Sequence, residues 1–187
     1  IEGLRILADA KELRECVTRP IEKIASKLIY IIGNHEDWAN DLIDEMPSLD
    51  GILDIKTLLN LENWTIIPQG GAYNLGKLTF IHGDQFKGGG DHVAKAAVLA
   101  YERSVRLGHF HTYQVYAKTS ALDIKNPKTG IVVPCLCTKD PKYGEGAPNR
   151  WVQGFNWGVV YPDGSFTDYI SVIINGSFYA NGKVYKG

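Results

Sequence analysis

Four of the five histidines in the chain, His35, His82, His109 and His111, stand in glycine-containing segments that each follow an apolar run. The segments are Gly33-Asn34-His35-Glu36, His82-Gly83-Asp84 and Gly108-His109-Phe110-His111. Glycine permits a tight turn and leaves room for backbone to approach a ligand, as a site assembled from several loop ends requires. A single loop histidine is ordinarily a surface or hydrogen-bonding residue, but this ordered set points to one imidazole-rich site. Imidazole nitrogens, an amide oxygen and carboxylates suit Zn, Fe, Mn or Ni better than Ca or Mg. Two such divalent transition-metal ions, about 3.5–4 Å apart, can clamp a phosphate, activate a water and offset charge on the leaving oxygen. The chemistry expected is hydrolysis of a phosphate ester without a covalent enzyme intermediate.

The elements that must position these residues are legible as alternating patterns. Lys11 to Ile24 has apolar residues at helical intervals and reads as one helix or two short ones broken near Pro20. Leu28-Ile29-Tyr30-Ile31-Ile32 is a continuous apolar run, the pattern of a strand buried on both faces, and it places Asn34 and His35 on the loop at its C-terminal end. Ligands bind at that edge in open α/β sheets. Helices are expected over Asp37 to Glu45 and Ile52 to Leu61, and strands over Trp64 to Ile67, Tyr73 to Leu75 and Lys77 to Ile81. Asp91 reads as the N-cap of a helix through Val93, Ala97, Ala100 and Tyr101, and Val105 to Leu107 is a short apolar step into the last motif. Beyond His111, β-type segments at Gln114 to Lys118, Ile131 to Leu136, Val152 to Tyr161 and Phe166 to Ile174 predict a mostly antiparallel sheet. Pro162-Asp163-Gly164 and Asn181-Gly182 are the hairpin signals, and Lys139 to Asn149 reads as an exposed loop.

Composition narrows the classes. A net charge of -1, with both signs spread along 187 residues, gives no broad positive face for a nucleic-acid backbone, so any such substrate must be held locally. Three cysteines without a CxxC pair fit neither a disulfide framework nor a structural zinc knot, and are expected to be buried thiols in a reducing cytoplasm. No apolar run approaches the roughly 18 residues a membrane helix needs, and no signal-peptide pattern opens the chain, so no membrane partner is expected. Gly88-Gly89-Gly90-Asp91 lacks the Lys-Ser/Thr of a nucleotide-binding loop and reads as a turn or lid. Arg103 and Arg106 read as a solvated face, and Trp151, Phe155, Trp157 and Tyr161 as strand core.

The three histidine segments, in this order, resemble the calcineurin-like metallophosphoesterases, over most of the chain. The likeness is greatest to the group found in phages and prophages, with which Arg150-Trp151-Val152-Gln153-Gly154-Phe155 ahead of a strand and hairpin is also similar. The resemblance implies an α/β fold, a calcineurin-like β-sandwich flanked by helices in α-β-β-α layers with its N-terminal strands missing, as a single N-terminally incomplete domain over 1–187. It implies that Asn34, His82 and His109 bind one metal ion and His111 the other. His35 would be the catalytic residue that faces the phosphate, stabilising the transition state or protonating the leaving oxygen. Glu36 and Asp84 would orient neighbouring imidazoles, with loop capping as their alternative role.

The family also carries an Asp-x-His segment and a Gly-Asp-x-x-Asp segment, and neither precedes Gly33 here. The bridging carboxylate is therefore expected from residues upstream of Ile1, from a complementing N-terminal segment or from a homo-oligomer, and the chain alone is expected to be inactive. The substrate implied is a phosphate ester, a phosphodiester in first place, with nucleic acid and a nuclease-like activity among the candidates. The compartment implied is the cytoplasm, that of the host if the chain is phage-encoded. The alternative function is a catalytically inactive module of this fold, used for binding or structure. A third reading is a single ion held by Asn34, His82 and His109 for binding alone.

Overall fold

The computed structural model describes residues 6–87, 90–137 and 150–187. The fold is mixed α/β with several open sheets, and the chain divides into two compact units, Ile1–Gly71 and Ala72–Gly187.

The first unit opens with helix α1 (Ile6–Leu13), a π-turn (Arg14–Thr18) and helix α2 (Arg19–Glu22). Pro20 was expected to break this run, yet the helical path continues through it. A proline removes one amide donor and crowds the carbonyl four residues back. Here the turn before it widens, with the Arg19 N–H bonding the Arg14 carbonyl five residues back, as π-bulges do. Strand β1 (Ile29–Ile31) pairs in parallel with β2 (Thr65–Ile67), and its residues are half-buried rather than buried on both faces. Between them lie α3 (Asn34–Glu45), a 3-10 turn (Pro47–Leu49) and α4 (Ile55–Leu59). The last is shorter than the 52–61 helix expected. The Asp54 carboxylate accepts from the Thr57 amide at 2.8 Å and so fixes its start, and Asn60 in the left-handed region ends it. Leu53, Leu59 and Leu61 form the buried apolar set of this unit, and Trp64 donates its indole N–H to Glu22 at 2.7 Å.

The second unit is built on a five-stranded sheet: β3 (Ala72–Leu75), β4 (Leu78–Ile81), β5 (Ser104–Leu107), β6 (Gln114–Ser120) and β7 (Asp123–Val132), in the order β3-β4-β5-β7-β6. The outer pairs are antiparallel hairpins, whereas β4, β5 and β7 are parallel. Helix α5 (Val93–Tyr101) covers the sheet and packs Val93, Ala94 and Ala97 against Ile81, Val105, Leu107 and Val132. The approach is close: a Cβ on Gly130 would lie 2.3 Å from the Ala94 carbonyl oxygen, so only glycine lets the helix sit there. Asp91 is not the N-cap of α5. His92 occupies that position without a side-chain bond, and the Gln114 carboxamide, from the start of β6, accepts from the Val93 amide at 3.1 Å.

Two hairpins complete the unit, β8 (Gly154–Val160) with β9 (Phe166–Val172) and β10 (Ser177–Ala180) with β11 (Lys183–Lys186). The turns fall at Pro162-Asp163-Gly164 and Asn181-Gly182 as expected, the latter with positive φ at both residues. The C-terminal third is thus two antiparallel hairpins rather than one sheet. The loop expected over Lys139 to Asn149, and Gly88-Gly89 of the glycine run, lie outside the described residues. Among the described residues no helix is long and apolar enough to cross a membrane.

Candidate metal centres at the edge of the parallel strands

Three parallel strands ending side by side bring the second unit's donors to one edge. Ile81 is in register with Leu107, and Leu107 with Val132, so residues 82–84, 108–111 and 133–137 leave the sheet together. Backbone bonds hold the departing segments in place: Gly108 donates to the His82 carbonyl at 2.8 Å and Val133 to the Leu107 carbonyl at 2.7 Å. This is the C-terminal edge at which open α/β sheets bind ligands.

His82 and His109 are brought together here. The Nδ1 of His109 lies 3.2 Å from the Nε2 of His82, with the rings edge to face at 5.1 Å between centroids. At metal–nitrogen bonds of about 2.0–2.1 Å, two nitrogens on one tetrahedral ion are about 3.3 Å apart. The pair therefore already has the spacing of two ligands of a single ion. His109 holds this position at φ 64°, and His111 its own at φ 58°, a left-handed conformation that costs an ordinary side chain free energy and recurs at functional sites. Gly83, at φ 114°, makes the turn after His82, and Asp84 is half-buried in the residues that follow. Phe110 stands edge-on to His109 at 4.9 Å and packs into the core below.

His111 meets a different set of groups. Its ring nitrogen and the sulfurs of Cys135 and Cys137 all lie within 4.8 Å of one another, with His111 Nδ1 3.9 Å from Cys137 Sγ. Trp151 stands edge-on to the His111 ring at 4.3 Å. The three donors are tied through one short segment: Val152 donates to the His111 carbonyl and accepts from the Cys135 amide, and Gln153 donates to the Cys137 carbonyl at 2.9 Å. Partial burial and the neighbouring Cys135 thiol push the Cys137 thiol up to about 12. The cysteines therefore depart from the buried thiols expected: Cys16 and Cys137 are exposed and Cys135 is half-buried. The overlooked signal was Cys135-Leu136-Cys137 itself, because in extended backbone residues two apart face the same side.

In the first unit, Asn34 and His35 open helix α3 rather than lying on a free loop, with Asn34 half-buried and His35 exposed. Glu36 takes the capping role. One of its oxygens accepts from the Gly33 amide at 3.0 Å and the other from the Tyr30 hydroxyl at 2.9 Å. Burial first, then the Glu36 charge, raises the Tyr30 phenol above its ordinary range, so it stays a donor.

The arginines ahead of the last motif are not a solvated face. Arg106 is buried in β5, where it forms a paired ion bridge to Asp168 at 2.6 and 2.8 Å, donates to the Thr129 carbonyl and hydroxyl, and lies over the Phe166 ring. Arg103 donates to Thr79 and to the Gly76 carbonyl. Phe155 and Trp157 do pack as strand aromatics, edge-on to Phe178 and stacked on Tyr169. No protein-family model and no curated protein matches this chain.

Proposed function

We propose that this chain carries metal-binding residues of a phosphate-ester hydrolase of the calcineurin-like kind, with a phosphodiester as the substrate class. The observation that carries the reading is the His82–His109 pair, two imidazole nitrogens 3.2 Å apart at the C-terminal ends of adjacent parallel strands. That spacing suits one borderline transition-metal ion, and the donor type suits Mn, Zn, Fe or Ni. Bound there, such ions supply Lewis-acid polarisation of a phosphoryl oxygen and activation of water.

The chain's own contribution is positional. The Gly108–His82 backbone bond keeps the two imidazoles abreast, and the left-handed turn at His109 aims the second ring at the first. Strand β5 below is fully buried and β4 nearly so, so these rings sit on rigid backbone. The pairing of metal-competent histidines with an α/β strand edge is what favours hydrolysis over a purely structural role.

The test is hydrolysis of an aryl phosphodiester by the full protein, with any residues that precede Ile1 in place, and with Mn, Zn, Fe or Ni added singly, comparing parent with His82→Ala and His109→Ala. Turnover with at least one metal is expected, reduced in either variant by more than the roughly 10–100-fold that loss of a mere outer-shell partner costs. Absence of turnover with all four metals, or turnover unchanged in both variants, would sink the proposal and leave the non-catalytic module as the reading.

A further inference from the structure

We propose that His111, Cys135 and Cys137 form a thiolate metal site that binds a soft divalent ion, Zn in first place, separately from the imidazole pair of His82 and His109. The inference does not rest on the phosphoesterase reading, and it reassigns His111, which the resemblance gives to the second ion of the hydrolase site, to a site of its own with the two cysteines. It rests on three donors from two distant stretches of sequence converging within 4.8 Å, one nitrogen and two sulfurs.

Chemistry selects the ion. Two thiolates and an imidazole are a soft to borderline set that favours Zn or Cu(I) over Mn, Mg or Ca. Bond lengths of about 2.3 Å to sulfur and 2.0–2.1 Å to nitrogen put tetrahedral ligand atoms about 3.6–3.8 Å apart. The His111–Cys137 distance of 3.9 Å is already close to that, and because no two of the donors are farther apart than 4.8 Å, the contraction required is about 1 Å at most. As the sulfurs ligate, each thiol gives its proton to solvent and the ion loses bound water. Three protein ligands leave a fourth position for water or a small anion, the arrangement of reactive rather than purely structural zinc sites.

The scaffold is built for the purpose in two respects. The Cys135 amide, the His111 carbonyl and the Cys137 carbonyl are all tied to Val152 or Gln153, which fixes the three donors relative to one another. The left-handed backbone at His111, a conformation disfavoured for a residue with a side chain, brings its ring to the sulfurs, with Trp151 edge-on to the same ring. Strain of this kind persists where the surrounding structure holds it in place.

The test uses Co as a spectroscopic probe and Zn as the ligand, on the whole chain under reducing conditions. Titration with Co should give the intense near-ultraviolet sulfur-to-metal charge-transfer absorption of thiolate ligation. Cys135→Ser and Cys137→Ser should each weaken binding by more than about 100-fold, beyond the 10–100-fold that loss of an outer-shell partner costs. The double variant His82→Ala/His109→Ala should retain the band. A second measurement needs no variant: Zn should slow alkylation of Cys135 and Cys137 by at least about 10-fold, on the scale of a tenfold occupancy excess, and leave the exposed Cys16 unaffected. Absence of the band in the parent, its survival in Cys135→Ser/Cys137→Ser, or equal alkylation with and without Zn overturns the proposal. Absence of phosphodiester turnover in the parent, with the band intact, would count against the hydrolase reading alone.

Discussion

The two donor clusters of the second unit differ in what holds them. His82 and His109 leave the ends of β4 and β5, strands whose apolar residues are nearly all buried, with β5 clamped to β9 by the Arg106–Asp168 bridge. His111, Cys135 and Cys137 stand beyond the sheet proper, linked by backbone bonds through Val152 and by the side-chain amide of Gln153, with one thiol exposed. The first cluster inherits its geometry from the core, and the second from a few hydrogen bonds near the surface. A core-anchored pair can hold two rings at ligand spacing without a metal, whereas the looser trio reaches its final geometry only as an ion draws it together. Damage to the core should therefore be felt first at the imidazole pair, and damage to the surface bonds only at the trio.

The largest effect is expected at Asp168. Its removal leaves the Arg106 guanidinium buried, with a relative exposure of 2%, and without its carboxylate. Breaking a buried pair from one side costs about 3–5 kcal/mol, so Asp168→Ala should lower the stability measured by urea unfolding by about that much. The pH dependence has a definite sign. Burial alone would raise the Asp168 carboxyl, but bonds and charge from Arg106, with a bond from Asn156, outweigh it and hold the group below its ordinary value. A depressed folded value means the contribution is fully present above about pH 4, near the unfolded carboxyl value, and is lost as pH falls through the folded one. Acid unfolding should accordingly be steeper in the parent than in Asp168→Asn. A flat difference between the two across pH 2–5, a range about the ordinary carboxyl value, would remove the clamp from the account of the imidazole pair.

A smaller effect is expected at His109, where the left-handed backbone at φ 64° costs about 1–2 kcal/mol for any residue with a Cβ. His109→Gly should be more stable than His109→Ala by about that amount, less the extra chain entropy of glycine, which offsets about 0.5–1 kcal/mol. Both should lose metal at the imidazole pair equally. Thermal unfolding of the two variants side by side reads the difference. Equal stabilities would mean that the turn relaxes once the ring is gone, and that the backbone does not by itself aim His109.

Much of this arrangement could be read before folding. Most strand positions, the hairpins at Pro162-Asp163-Gly164 and Asn181-Gly182, and the placement of histidine segments after apolar runs follow from local patterning, which is set by periodicity and turn chemistry. The parallel pairing of β7 with β5, by contrast, departs from the mostly antiparallel sheet expected beyond His111. Residues whose role depends on distant partners were not legible. Arg106 in a short apolar stretch looks like a surface charge until Asp168, 62 residues on, arrives beside it. Gln114 caps α5 from a later strand, so the local candidate Asp91 was the wrong one. Cys135 and Cys137 acquire a histidine neighbour only because β5 and β7 run parallel and end together. These three are long-range contacts, which single-sequence periodicity does not encode.

The smallest effect bears on the surface cluster. Gln153 donates its side-chain amide to the Cys137 carbonyl at 2.9 Å, close to where the thiols meet His111. A hydrogen bond of this exposed kind is worth about 0.5–1.5 kcal/mol at most, so Gln153→Ala should barely change global unfolding. The consequence should be local. With Cys137 less constrained, more ordering is left for the ion to impose, and the Zn affinity of the trio should fall by up to about 10-fold, the equivalent of 1.4 kcal/mol. The imidazole pair, anchored in β4 and β5, should not register the change, so phosphodiester turnover should stay at the parental level. If Gln153→Ala instead lowers turnover and leaves Zn binding at the trio untouched, the two clusters are not held by separate parts of the fold, and the contrast between core anchoring and surface anchoring fails at the point where it is most easily measured.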